Sequence, residues 1–187
     1  MQNVRLFIAI ELTQDIKDKL KMLEEELCFV CPQGKWVKPD NIHLTLNFLG
    51  YIKEDLVRET TESIIKSVKN FGSFDIEVKG ASYFPEKGDP RVIWVGIGSG
   101  SEKVFSLHSK IKEALLSFNF EPEKDEFKAH LTLGRIKDPK DTKKLVDLLA
   151  LKESSVFGKY LCDHISIIKS DLKQEGVSYT VLKRIKL

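Results

Sequence analysis

The chain has 187 residues, 42% of them hydrophobic and 31% charged, with a formal net charge of +2. That length suits one compact domain or two small lobes sharing a core, and that balance excludes disordered, fibrous and strongly basic nucleic-acid-coating proteins. The apolar stretch at 6–10 is too short for a signal-peptide core, no run approaches the roughly 20 residues that span a bilayer, and three cysteines fit a reducing compartment. A cytoplasmic protein with no membrane partner is expected.

In chain order, residues 4–11 read as a buried strand, followed by Thr13 as a helix N-cap. Ile16, Leu20, Leu23 and Leu27 then recur at helical spacing, so residues 14–28 read as an amphipathic helix. Residues 35–41 hold Pro39 and read as an irregular approach to a strand, His43-Leu-Thr-Leu-Asn-Phe48, which alternates with period two. Residues 53–69 carry Leu56, Ile64, Ile65 and Val68 as a second helix. Phe74, Ile76 and Val78 then alternate with charged residues as a strand with one wet face.

The second half repeats this order. Residues 91–97 are a strand, residues 102–118 a helix through Val104, Leu107, Ile111 and Leu115, and His130-Leu-Thr-Leu133 a strand again. Residues 141–151 are helical through Leu145, Leu148 and Leu149, and a long β pattern over 156–170 precedes a last strand over 177–185. Gln174-Glu-Gly176-Val reads as their hairpin turn, with Gly176 suited to positive φ. Asp89-Pro90 and Glu121-Pro122 read as surface loops.

Two copies of strand–helix–strand–helix–strand, with one tetrapeptide at matched places in both, imply a duplicated α+β fold. A single domain over 1–187 is expected, built of two pseudo-symmetric lobes with motif one around 43–46 and motif two around 130–133. Each half alone is too small for a comfortable core. The economical arrangement is a bilobal pseudo-two-fold one, with antiparallel sheets facing a central groove, helices outside, and one histidine from each side.

On a strand, His43 and Thr45 share one face while Leu44 and Leu46 share the other, and His130 and Thr132 stand likewise against Leu131 and Leu133. A chance repeat of His-Leu-Thr-Leu in a chain this long is improbable, on the order of one in several hundred. The arrangement suits phosphoryl transfer, which needs one oxygen losing a proton and another gaining one on opposite sides of phosphorus. Imidazole titrates near the operating pH and does either job, and threonine hydroxyls donate to the equatorial oxygens where charge accumulates. No cofactor or metal is needed for a strained cyclic ester.

These residues resemble the two-histidine (2H) phosphoesterases, defined by paired His-x-Thr/Ser-x motifs. The likeness extends over nearly the whole chain: Arg5-Leu-Phe-Ile-Ala-Ile10, the segment from Trp36 to Gly50, Arg91-Val-Ile-Trp-Val95, the segment from Phe127 to Arg135, and Ser170-Asp-Leu with Gly176 and Tyr179. It implies a bilobal α+β fold whose terminal strands cross between lobes, and metal-independent opening of an RNA 2′,3′-cyclic phosphate to a 2′-phosphate. It implies His43 as proton donor to the leaving oxygen and His130 as proton acceptor from water. Thr45, Thr132 and Arg135 are expected at the substrate phosphate. Strict alternation turns Arg135 toward the leucine face, and a bulge at Gly134 would return it.

The expected partners are RNA ends or nucleotides bearing a 2′,3′-cyclic phosphate, bound by a monomer. Within the same chemistry the alternative is a reversible 2′-5′ RNA ligase or 2′-5′ phosphodiesterase, and outside it a non-catalytic nucleotide- or RNA-binding module. Cys28-Phe-Val-Cys31 with Cys162 and His164 suggests zinc only weakly. Gly96-Ile-Gly-Ser-Gly-Ser101 lacks the last glycine of a dinucleotide fingerprint and reads as a turn with a serine N-cap. His108 and His164 read as structural, Lys137 to Lys144 as a solvated face, and Trp36, Phe48, Tyr83 and Phe84 as core or groove-rim aromatics.

Overall fold

A computed structural model of the chain describes residues 3–118, 126–173 and 176–187. The elements run β1 (Asn3–Glu11), α1 (Gln14–Val30), β2 (Lys35–Trp36), β3 (His43–Lys53), α2 (Val57–Val68), β4 (Phe74–Phe84), β5 (Val92–Ile97), α3 (Ser101–Leu115), β6 (His130–Arg135), α4 (Lys143–Lys152), β7 (Val156–Cys162), β8 (His164–Lys173) and β9 (Gly176–Lys186). The strands join in the order β7-β4-β5-β6-β3-β1-β8-β9, with the short β2 on β6. Every pairing is antiparallel.

The strand order is symmetric about the seam between β3 and β6. One side runs β3-β1-β8-β9 and the other β6-β5-β4-β7. The repeated units β1-α1-β3 and β5-α3-β6 therefore face each other across that seam. The strand that follows α2, β4, lies beside β5, and β8 lies beside β1. The C-terminal strands β8 and β9 cross to the first lobe, as the resemblance implied, and β4, an internal strand, crosses the other way.

The β pattern expected over 156–170 is two strands in two different lobes. It breaks at Asp163, with β7 pairing β4 and β8 pairing β1. Alternation continues across the break because each strand has a core face, so periodicity alone could not mark the crossing. One residue joins the two flanks of the sheet, and a twisted sheet has to curl for them to meet there.

The leucine faces explain why the helices lie where they do. Leu44, Leu46, Leu131 and Leu133 are at most 1% exposed. They share one core with Ile16, Leu20, Leu23 and Leu27 of α1, Ile64 of α2, Val104, Leu107 and Ile111 of α3, and Leu145 of α4. Burying each such side chain contributes about 1.5–3 kcal/mol. The opposite sheet face carries a smaller cluster of Phe7, Ala9 and Ile168 with Tyr179 packed against it. Strand β1 is thus buried on both faces, which is why it reads as a continuous apolar run.

Two expected caps differ in detail. Thr13 holds the N-cap position of α1 in extended conformation, but its hydroxyl makes no cap bond. The N-cap of α3 is Gly100 at φ +88°, not Ser101, and a Cβ at 100 would sit 2.2 Å from the carbonyl oxygen of Asp75. The glycine-rich turn answers that close approach rather than a cofactor. Gly176 has the expected positive φ of 125°. The loop read at Glu121-Pro122, and residues 174–175 of the hairpin turn, lie outside the described residues. No helix among the described residues is long and apolar enough to cross a membrane.

Candidate active site

The two motif strands carry a bulge at the same place. Ala9 faces Thr45 and Ile8 faces Asn47, which leaves Leu46 as the extra residue of β3. Trp94 faces Thr132 and Ile93 faces Gly134, which leaves Leu133 as the extra residue of β6. An extra residue reverses the alternation beyond it. Asn47 and Gly134 therefore turn inward and are buried, while Phe48 and Arg135 emerge on the histidine face. The expected bulge is present, and it delivers Arg135. Gly134 is needed there for space, because a Cβ would strike the Trp36 ring at 2.5 Å.

Strands β3 and β6 pair at one ladder position, Leu44 with Leu131. Extending that register sets His43 against Thr132 and His130 against Thr45, all four on one face. The histidines are then diagonal neighbours, a relation that spans about 7–8 Å between ideal paired strands. Pairing does not continue on either side of this position, so the lobes part from it.

The two imidazoles are anchored alike. The Nδ1 atom of His43 lies 2.7 Å from the carbonyl oxygen of Asn41, and that of His130 lies 2.7 Å from the carbonyl oxygen of Lys128. A carbonyl only accepts, so each Nδ1–H donates. This leaves Nε2 of both rings to take up or release a proton.

Their surroundings differ. His43 stacks on Phe7 at 4.7 Å and meets the edge of Tyr179 at 5.2 Å. Burial among these rings pushes its pKa below the ordinary imidazole value, against the opposing pull of the Asn41 carbonyl. His130 meets Phe84 edge-on at 5.4 Å, and Phe84 stacks on Trp94 at 5.0 Å. The Lys128 ammonium stands 5.4 Å from the Phe84 ring and pairs with Glu86. Thr45 and Thr132 are half-buried beside the rings.

Sequence reasoning left Trp36, Phe48, Tyr83 and Phe84 open between core and groove rim; the structure puts Phe84 against His130 and Phe48 against Phe7, and brings in Phe7 and Trp94, which that reasoning missed. Both stand in apolar strands with no break in pattern to show that one face lines a site. Trp36 and Tyr83 pack against the core instead. Tyr179 was legible only through the resemblance, because a lone tyrosine in a strand carries no positional signal.

The weaker candidates separate from this site. Among the described residues no group of three or more His, Cys, Asp or Glu could hold a metal ion. Cys28 is exposed while Cys31 and Cys162 are buried, and burial pushes the Cys162 thiol up to about 12. His164 and Asp163 were expected to face opposite ways, yet Nδ1 lies 2.6 Å from Oδ1. Asp163 falls between two strands, where alternation does not hold. His108 is 5% exposed, lies 2.8 Å from the Leu46 carbonyl oxygen through Nδ1, and stacks on Phe127 at 4.0 Å.

Two interlocked lobes, each carrying a histidine anchored through Nδ1 and a threonine two residues on, define a pseudo-symmetric two-histidine protein. The sequence pattern of the 2′-5′ RNA ligase superfamily matches residues 33–174, and the chain belongs to that family of two-histidine phosphoesterases. It is 33% identical over 180 residues to an RNA 2′,3′-cyclic phosphodiesterase of Archaeoglobus fulgidus, covering 96% of this chain and 98% of the relative. An Aquifex aeolicus protein of the same name is 31% identical over 188 residues, covering 100% and 99%. Among solved structures, TT0787 of Thermus thermophilus superimposes with a TM-score of 0.81 at 25% identity, covering 98% of this chain and 97% of that one. LigT of E. coli complexed with 3′-AMP shares the fold with a TM-score of 0.80 at 21% identity, covering 100% and 99%.

Proposed function

We propose that this protein hydrolyses a 2′,3′-cyclic phosphate at the end of an RNA to a 2′-phosphate, with His43 as proton donor and His130 as proton acceptor. The observation that carries the reading is the matched anchoring of Nδ1 in two lobes, which presents two Nε2 atoms to one groove. An in-line displacement needs those two positions, one at the attacking oxygen and one at the leaving oxygen.

The chemistry follows from the tautomers. Nε2 of His130 accepts a proton from water as the water oxygen bonds to phosphorus. His43, protonated at Nε2, gives its proton to O3′ as the P–O3′ bond breaks. The phosphate keeps its bond to O2′. Thr45 and Thr132 donate hydrogen bonds to the non-bridging oxygens, where negative charge gathers in the transition state. Burial of His43 makes its imidazolium a stronger acid toward the departing alkoxide, and the arriving phosphate anion opposes that loss of its proton.

The experiment is incubation with an oligoribonucleotide ending in a 2′,3′-cyclic phosphate, followed by identification of the hydroxyl that keeps the phosphate. A 2′-phosphate is expected. Formation of a 3′-phosphate would assign the protons to the wrong oxygens, and joining of ends through a 2′-5′ linkage as the main product would favour the ligase. His43→Ala and His130→Ala should each lower kcat by about 10²–10⁴ while the oligonucleotide still binds. Full activity in either variant would remove that histidine from the mechanism.

A further inference from the structure

The bulge residue of each motif strand gives its carbonyl to a donor from outside the ladder. The strand opposite leaves an extra residue unpaired, and a buried carbonyl without a donor is costly. On β6 the extra residue is Leu133, whose carbonyl oxygen accepts from the Val37 amide at 2.8 Å. On β3 it is Leu46, and the donor there is a side chain: Nδ1–H of His108 donates to the Leu46 carbonyl oxygen across 2.8 Å. The Asn47 amide, turned inward by the same bulge, lies 3.2 Å from that nitrogen. One lobe closes its bulge with backbone, the other with an imidazole carried on α3.

The same imidazole reaches the second motif. Its face stacks on Phe127, with centroids 4.0 Å apart and planes 6° apart. Phe127 adjoins Lys128, whose carbonyl oxygen takes the Nδ1–H of His130 at 2.7 Å. The two contacts of this one ring therefore fall one residue from Thr45 and one residue from the anchor of His130. His108 is 5% exposed, and its neighbours Leu107 and Ile111 on α3 belong to the core, so it works from the interior and not from the groove.

We infer that His108 is a positioning residue for both motifs: its Nδ1–H fixes the β3 bulge beside Thr45, and its ring face steadies the segment that anchors His130. This rests on the cyclic phosphodiesterase reading. Loss of the donor leaves the Leu46 carbonyl unpaired and loosens the bulge that turns Phe48 against Phe7, the ring on which His43 stacks. Loss of the stack frees Phe127, and with it the Lys128 carbonyl that sets the tautomer of His130.

Three variants separate the two contacts. His108→Phe keeps a ring against Phe127 and loses the donor, His108→Asn keeps an N–H at the place of Nδ1 and loses the stack, and His108→Leu loses both. On an oligoribonucleotide ending in a 2′,3′-cyclic phosphate, His108→Leu should lower kcat about 10²-fold with KM nearly unchanged, the scale of loss for a misplacement of about 1 Å. The two single-contact variants should fall between it and the wild type. In NMR spectra, His108→Phe should move the imidazole signals of His43 more than those of His130, and His108→Asn the reverse. A merely structural role would lower the melting temperature while the folded variants kept the wild-type kcat and unmoved imidazole signals, and that result would overturn the assignment. If His108→Leu does not fold, the single-contact variants decide by the same readings. If the wild type opens no cyclic phosphate, the hydrolytic reading fails, and the imidazole signals decide alone: movement in the stated order supports the positioning role, and unmoved signals refute it.

Discussion

Leu44 faces Leu131 where the two lobes meet, and both side chains are fully buried. Each is flanked on its own strand by the histidine whose position it holds. The pair therefore couples stability to the spacing of His43 and His130. Leu131→Ala leaves a cavity at the seam and should destabilise the protein by about 2–5 kcal/mol, read as a lower urea midpoint at unchanged m-value. Leu44→Ala should cost a similar amount, and the double variant less than the sum, because the two share one cavity. Strict additivity would mean that the seam does not act as a unit.

His43 supplies a pH signature. Its folded pKa lies below the ordinary 6.5, chiefly through burial against Phe7 and Tyr179. In the window between that lowered value and 6.5 the unfolded chain binds more protons than the folded one, so stability rises with pH through the window. For the reaction, a proton donor must be charged, so kcat/KM should fall as pH climbs through the His43 pKa. Phe7→Ala admits water to the ring and should move both the NMR titration of His43 and this alkaline limb upward together. A limb that stays in place while the titration moves would assign the donor role elsewhere.

Much of this was legible in the chain because two periodicities agreed. Residues 14–28 were read as a helix that runs Gln14–Val30, and the His-x-Thr faces were correct for both motifs. What escaped was long-range. Nothing local in residues 156–170 says that Asp163 separates two lobes, since each strand alternates against its own core. Phe7 lay within an unbroken apolar run, and only the packing of Tyr179 and His43 on it distinguishes its face from that of Leu6. Arg135 was placed through a bulge that glycine suggested, though the glycine is required by Trp36 and not by its own backbone.

Chelation tests the proton-transfer chemistry from another side. Both Nδ1 atoms are committed to carbonyls, and the described residues offer no cluster of three or more metal-ligating side chains. Prolonged dialysis against EDTA should leave the rate of cyclic-phosphate opening unchanged. Substituting serine for Cys28 and Cys31 together should also leave it unchanged, since neither touches the groove histidines. Loss of activity on chelation, restored by zinc, would require a metal in the mechanism.

Glu11 sets the acid limit of the fold. It sits opposite His43 in the β1–β3 register, but its carboxylate is held by the other end of the sheet. Arg184 of β9 donates from Nε and Nη2 at 2.9 Å each, and the Ser166 hydroxyl of β8 adds a third hydrogen bond. The Arg184 fork holds the carboxyl at about 2, against the opposing effect of partial burial. The folded pKa is lowered, so the stabilisation is fully present above the ordinary value of 4.5 and drains away as pH falls toward about 2. Glu11→Gln removes the titrating group while keeping its shape, so its melting temperature should fall less steeply than that of the wild type across this window. Arg184→Gln should flatten the same window by removing the partner. If both variants track the wild-type acid profile, the β1–β9 strap contributes nothing to acid stability and other carboxylates set the limit.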